Sequence, residues 1–158
     1  MKSPSPEKLV LHGRKAARVA AIQALYQTKQ SGSLPQKVTE EFKAHRFQTA
    51  NEEMMYNRTD IELFEKIVLE SGEYAAQIDA QIQLALSEEW KWDRLELILL
   101  SILRAATFEL MANPDVPIPV LINEYTEITK LFFQEREPAF INAVLDRLAK
   151  KIRSGEGG

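Results

Sequence analysis

The sequence predicts an all-α fold, a helical bundle of about six or seven helices, on three observations. Apolar residues recur at helical spacing, and no run alternates apolar and polar residues long enough to read as a strand. The prolines, Pro4, Pro6, Pro35, Pro114, Pro117, Pro119 and Pro138, divide the chain into long uninterrupted segments. No Asn-Gly or Asp-Gly pair marks a hairpin, and three of the six glycines lie in the tail Ser154-Gly155-Glu156-Gly157-Gly158.

Taken in order, a first helix is expected from Arg14 to Gln30, with Val19, Ile22, Leu25 and Tyr26 on one face and Gly32 closing it. A shorter helix follows Pro35 through His45, using Val38 and Phe42, and the polar stretch Gln48 to Arg58 reads as a loop. Thr59 or Asp60 caps a helix carrying Leu63, Phe64, Ile67 and Val68, which Gly72 interrupts before the pattern resumes at Ile78, Ile82, Leu84 and Leu86. Asp93 is the expected N-cap of a helix from Leu95 to Met111, apolar nearly all round and therefore central to the bundle. Pro117 and Pro119 suit the first turn of the next helix, with Leu121, Tyr125, Ile128 and Phe132 facing inward. Pro138 opens the last helix, with Ile141, Val144, Leu145, Leu148 and Ile152 along one side. No internal repeat or domain boundary is visible. Residues 1–12 are expected to form a flexible arm, 13–153 a single helical domain and 154–158 a flexible tail.

At 158 residues, 45% hydrophobic and 27% charged, the chain suits one soluble globular domain. The absence of cysteine excludes a disulfide framework, a thiolate metal site and a thiol nucleophile. His12 and His45 are the only histidines, which leaves little material for zinc or His-paired catalysis. No glycine-rich phosphate loop occurs, and the adjacent pairs Glu40-Glu41, Glu52-Glu53 and Glu88-Glu89 point in different directions on a helix. The expectation is a protein without catalytic activity, cofactor or metal. The N-terminus has no signal-peptide core, and Glu96, Arg104 and Glu109 interrupt the most apolar stretch, so neither secretion nor a membrane span is expected and the location is cytoplasmic.

The net charge of −3 hides a segregated distribution. Lys8, Arg14, Lys15, Arg18, Lys29 and Lys37 lie in a stretch without a single acid, whereas Glu40 to Glu89 is strongly acidic. Arg147, Lys150, Lys151 and Arg153 close the last helix, where the helix dipole favours cations. Arg14, Lys15 and Arg18 occupy first turns, where the dipole disfavours them. They continue the face that becomes Ile22, Leu25 and Tyr26 one turn later, so the start of this helix is expected to overhang the bundle. The overhang is either a solvated helix start or a phosphate-contacting patch. Phe140, at the edge of its apolar stripe, and Phe132-Phe133, which cannot both point inward, are either core residues or platforms for an unpaired base.

Ordered motifs then suggest a family. Arg14-Lys15-Ala16-Ala17-Arg18 with Gln23-Ala24-Leu25-Tyr26 resembles the opening of the NusB family of bacterial transcription antitermination factors. Trp90-Lys91-Trp92-Asp93-Arg94 and Ile102-Leu103-Arg104-Ala105-Ala106-Thr107-Phe108-Glu109-Leu110 resemble its central helix. Asp115-Val116-Pro117, Ile122-Asn123-Glu124-Tyr125 and Phe140-Ile141-Asn142-Ala143-Val144-Leu145-Asp146 resemble its C-terminal signature.

The resemblance implies two packed helical subdomains and a non-enzymatic role. It implies a heterodimer with NusE, a small-subunit ribosomal protein, bound to single-stranded boxA RNA of ribosomal RNA operon leader transcripts within the RNA polymerase antitermination complex. Carried over, the N-terminal RNA-contacting motif falls on Arg14, Lys15 and Arg18, and the C-terminal RNA-proximal segment on Lys130, Phe132 and Phe140. Asn123 and Glu124 match the family and could equally bond helix ends. Three positions depart from the pattern. Phe133 and Ala143 replace glycines, which suggests an altered loop before the last helix. Leu99 stands where an acid is common, which would make a partner contact at that position more apolar.

Two rivals remain on sequence grounds. NusB-like domains also begin ribosomal RNA cytosine methyltransferases, but this chain carries no methyl-donor domain and no cysteine nucleophile. A homodimeric helical adaptor that does not bind RNA is the other.

Overall fold

The computed structural model describes residues 9–47 and 54–154. The all-α expectation holds, with one short exception. Leu9–His12 (β1) and Met54–Asn57 (β2) pair as a two-stranded parallel ribbon, with Leu9 opposite Met54 and His12 opposite Asn57. Part of the expected loop from Gln48 to Arg58 is thus a strand, while residues 48–53 lie outside the described residues. The expected flexible arm also changes: its last four residues are the other strand, with Leu11 buried, and residues 1–8 lie outside the description. Four-residue strands are too short to display alternation, which is why sequence periodicity missed them.

Helix α1 spans Gly13–Ser31 and ends at Gly32, whose φ of +74° is the left-handed conformation that glycine adopts without a side-chain clash. Its alanine-rich centre, Ala16, Ala17, Ala20, Ala21 and Ala24, is fully buried, letting neighbouring helices approach closely. Helix α2, Pro35–Glu41, begins with proline as predicted and runs on as a wider π turn through Phe42–Arg46. Helix α3, Ile61–Glu65, is capped by Asp60, whose carboxylate accepts the Leu63 amide at 3.1 Å. It widens into a π turn at Lys66–Glu70 and tightens at Ser71–Tyr74, around the expected interruption at Gly72. Helix α4 follows at Ala75–Ala85.

Helix α5 spans Leu97–Ala112 rather than starting at Leu95. Asp93 is not its cap: it sits in the preceding single 3-10 turn, Trp92–Arg94, and Glu96 holds the N-cap position without a side-chain bond. Every α5 residue from Leu99 to Leu110 except Arg104 is buried, as its apolar circumference predicts. It packs against α1, α4 and the two remaining helices, α6 (Ile118–Phe132) and α7 (Glu137–Ile152), so a single hydrophobic core runs through the molecule. Arg104, the one partly exposed residue in that stretch, reaches α4 and donates two hydrogen bonds to Asp79, at 2.8 and 2.9 Å.

The departures from the family pattern are absorbed. Phe133 lies at φ −138° and ψ 144°, extended backbone that any residue adopts, so the lost glycine leaves no strain there. Ala143 is exposed on the outer side of α7. Leu99 is only 2% exposed, a core residue of α5, so the apolar partner contact conceived for it does not arise.

Candidate nucleic-acid interface

The start of α1 is electrostatically unusual. His12 gives it no side-chain cap, and no acid occupies its first turn. Arg14 is exposed and makes no ion pair among the described residues. Lys15 is half-exposed, its Nζ 3.5 Å from Glu124 of α6. Glu124 therefore braces α1 against α6 rather than bonding a helix end, and Asn123 is exposed. The uncapped amides and the two cations stand together at one corner of the bundle, with Asp60, Glu62 and Asp115 lining the cleft beside Arg14.

Arg18 leaves this surface, and the expected three-cation overhang is corrected to two. The face containing Arg14 and Arg18 does turn inward one turn before Ile22, and Arg18 is only 3% exposed. Its Nε and Nη2 donate to Oε2 and Oε1 of Glu109, at 2.7 and 3.0 Å. Glu109 is fully buried in α5 and also accepts from the Tyr125 hydroxyl and from Asn113 Nδ2 at 3.0 Å. Burial works against the Arg18 cation, but the hydrogen bonds and Coulomb attraction of Glu109 outweigh it and raise its pKa further. Arg18 thus joins α1 to α5 and α6 instead of facing solvent. The signal that could have revealed this was Glu109 itself: a carboxylate on a helix apolar all round requires a cation.

The same network makes a pH prediction. Burial first, and then the Glu109 charge, hold the Tyr125 hydroxyl well above its ordinary pKa. Tyrosine in the unfolded chain deprotonates near pH 10, so above that pH the unfolded state carries fewer protons than the folded one. This contribution to stability is complete below about pH 10 and is lost as pH rises, by at most about 1.4 kcal/mol per pH unit. Urea unfolding of the native chain and of Tyr125→Phe should differ least at the alkaline end of a series from about pH 8 to 11. Parallel curves across that series would contradict the role given to Tyr125.

The remaining sequence-predicted residues lie apart from the α1 corner. Lys130 is exposed and pairs with Glu127 one turn back, at 3.0 Å. Phe132 is half-buried and lines a cleft of about 360 Å³ with Tyr26, Gln30, Arg46 and Ile98. Tyr26 lies twelve residues beyond Arg14 on α1, roughly 18 Å along the helix. Phe140 is only 6% exposed, and its ring stacks on Trp90 with centroids 4.2 Å apart, so it offers no free face. It is a core residue. The structure thus distributes the six candidates over several places rather than one pocket.

The C-terminal basic cluster also divides. Arg153 is buried and donates to the carbonyls of Leu110, Asn113 and Val116 at 2.9, 2.6 and 2.5 Å, and more weakly to Glu109 at 3.4 Å. Lys66 Nζ adds a bond to Asn113 Oδ1, at 3.0 Å. Arg147 Nε donates to Ala85, the last residue of α4, at 2.7 Å. These cations do serve helix C-termini, but those of α4 and α5 rather than of their own helix. No cluster of His, Asp and Glu suited to a metal occurs among the described residues, and none of their helices is long and apolar enough to cross a membrane.

Comparison with known proteins agrees with this architecture. The NusB family model matches residues 15–150. The transcription antitermination protein NusB of Rhizobium meliloti (strain 1021) is 40% identical over 155 residues, which cover 98% of this chain and 97% of the relative. NusB of Maricaulis maris (strain MCS10) is 39% identical over 98% of this chain and 95% of its own. The structure of T. maritima NusB superposes with a TM-score of 0.72 at 30% identity, covering 96% of this chain and 94% of the other. A chain from a crystal structure of the antitermination factors NusB and NusE with double-stranded RNA superposes at 0.70, with 22% identity over 87% of this chain and 96% of that one, a likeness of fold.

Proposed function

The chain belongs to the NusB family and is a transcription antitermination protein, and from that premise we propose that it binds single-stranded boxA RNA of ribosomal RNA leader transcripts as a heterodimer with NusE. One observation carries the RNA-binding part: the first turn of α1 is uncapped and free of acids, and Arg14 and Lys15 stand where helix electrostatics alone would not put them. The cost of placing cations there is offset once a phosphate arrives, because amides and side chains then share one anion. A structural relative of the same fold was captured with NusE and RNA, which supports a partner-assisted complex. In this reading Lys130 supplies a further phosphate contact and Phe132 lines the RNA-proximal side of α6. Arg18 and Phe140 position their helices from inside the core. Candidates spread along α1 and α6 suit an extended strand better than a compact ligand.

Phosphate contacts release counterions, so affinity for single-stranded RNA should fall with salt, with a log–log slope of about −0.7 per contact. Replacing Arg14 and Lys15 together by alanine should flatten that slope by about 1.4 if both contact phosphates, and should weaken binding most at low salt. The fold should respond little, because the Lys15–Glu124 pair is long, at 3.5 Å, and only partly buried, and such a pair contributes about 1 kcal/mol. The measurement is fluorescence anisotropy of labelled boxA RNA, with NusE present, across a salt series. An unchanged slope and affinity would remove the α1 corner from the interface.

A further inference from the structure

Phe140 is hidden because another aromatic residue covers it. The Trp90 and Phe140 rings stack at 4.2 Å with planes 24° apart. The Arg136 guanidinium lies over the Trp90 ring, 4.7 Å from its centroid. The Trp90 ring therefore has two neighbours, a phenyl ring held in the core and a guanidinium on an exposed side chain. The guanidinium contact is the weakly held one. Among the described residues the ion-pair partner of Arg136 is Glu89, at 3.2 Å, and both side chains are largely exposed, at 62% and 71%. A cleft of about 400 Å³ opens beside the pair, and Lys91 and Arg94 stand on its wall.

We infer that Trp90 is the base-stacking platform of this protein: an unpaired RNA base enters between the Trp90 ring and the Arg136 guanidinium, while Lys91 and Arg94 supply cations for its phosphate. The inference rests on the RNA-binding reading above and adds a residue and a mechanism to it. Bases stack on both indole rings and guanidinium planes, so the base replaces one planar contact by two. Glu89, Glu135 and Glu137 on the same cleft match the three cations in number, which makes this site nearly neutral. The contribution of Trp90 itself is stacking, which carries no counterion release, whereas any salt-dependent part of the site belongs to Lys91 and Arg94. The carboxylates also favour bases with amino donors, such as cytosine and adenine, over uracil.

Trp90 and Trp92 are the only tryptophans, so Trp92→Phe leaves Trp90 as the sole indole reporter. In that background, adding the boxA oligonucleotide with NusE should quench Trp90 emission saturably, at the concentration where anisotropy reports binding. Trp90→Leu keeps an apolar cover over Phe140 but removes the stacking plane, and should weaken binding by about tenfold without changing the salt slope. A thermal melt of Trp90→Leu checks that the bundle remains folded, and Arg136→Ala, at an exposed position, tests the outer face without disturbing the core. RNA bound with Trp90 emission unchanged, and with native affinity in both Trp90→Leu and Arg136→Ala, would overturn the stacking site while leaving the RNA-binding reading intact. No RNA bound by the native complex would overturn both.

Discussion

Replacing Arg18 by alanine is expected to destabilise the protein by about 3–5 kcal/mol, the cost of stranding one partner of a buried ion pair. Glu109 would keep only the Tyr125 hydroxyl and the Asn113 amide as donors, and its carboxylate has no exposure through which water could compensate. In a domain of this size such a loss lowers the melting temperature by roughly 10–15 °C. Lysine should rescue poorly, since a single ammonium cannot reproduce the two parallel bonds of the guanidinium. Removing charge from both sides, as Arg18→Met with Glu109→Leu and Tyr125→Phe, should recover most of the stability, because a filled apolar site needs no compensation. Urea denaturation distinguishes these outcomes. If Arg18→Ala were within about 1 kcal/mol of the native chain, the network could not be what joins α1 to α5 and α6. The variant also separates fold from function: at temperatures where it is folded, its salt slope for RNA should match the native one, whereas the double replacement of Arg14 and Lys15 alters the slope and spares the fold.

Arg153→Met should cost about 2–4 kcal/mol although it changes only the residue that follows the last helix. The carbonyls of Leu110 and Val116 would lose their Arg153 donor where α5 turns into the connection to α6, while Asn113 would keep only the Val116 amide, and each buried acceptor so orphaned costs about 1–3 kcal/mol before water or relaxation repairs some of it. Lys150→Ala, three residues away, is the control. Its pair with Asp146 is highly exposed, and its loss should be within about 0.5 kcal/mol. Native-state hydrogen exchange should localise the Arg153 effect to the last turn of α5. Equal, small effects of the two replacements would mean that the basic cluster is only a charged surface.

The helices were legible in the sequence because their boundaries are local chemistry. Gly32, Asp60, Pro35 and Pro119 each act on the residues beside them, and the structure finds them in those roles. The helical face of α1 was legible as well, since Arg14, Arg18 and Ile22 do share one side. What the sequence could not supply was the depth at which that side enters the bundle. The partner that decides it, Glu109, stands 91 residues away. Phe140 stayed open between core and platform for the same reason: its stripe was visible, but the indole that covers it arrives from the segment before α5. The ribbon of β1 and β2 was hidden because each strand is four residues long and gains its pairing only from the other.

The placement of Arg153 bears on how the protein is made. Synthesis proceeds from the N-terminus at about 5–20 residues per second, and segments fold as they emerge. Here the carboxyl end of α5 is not complete until a residue more than forty positions later has emerged, because the guanidinium that completes it belongs to Arg153. Premature termination before that codon should therefore leave a chain that has collapsed but not locked, with the last turn of α5 open to proteases.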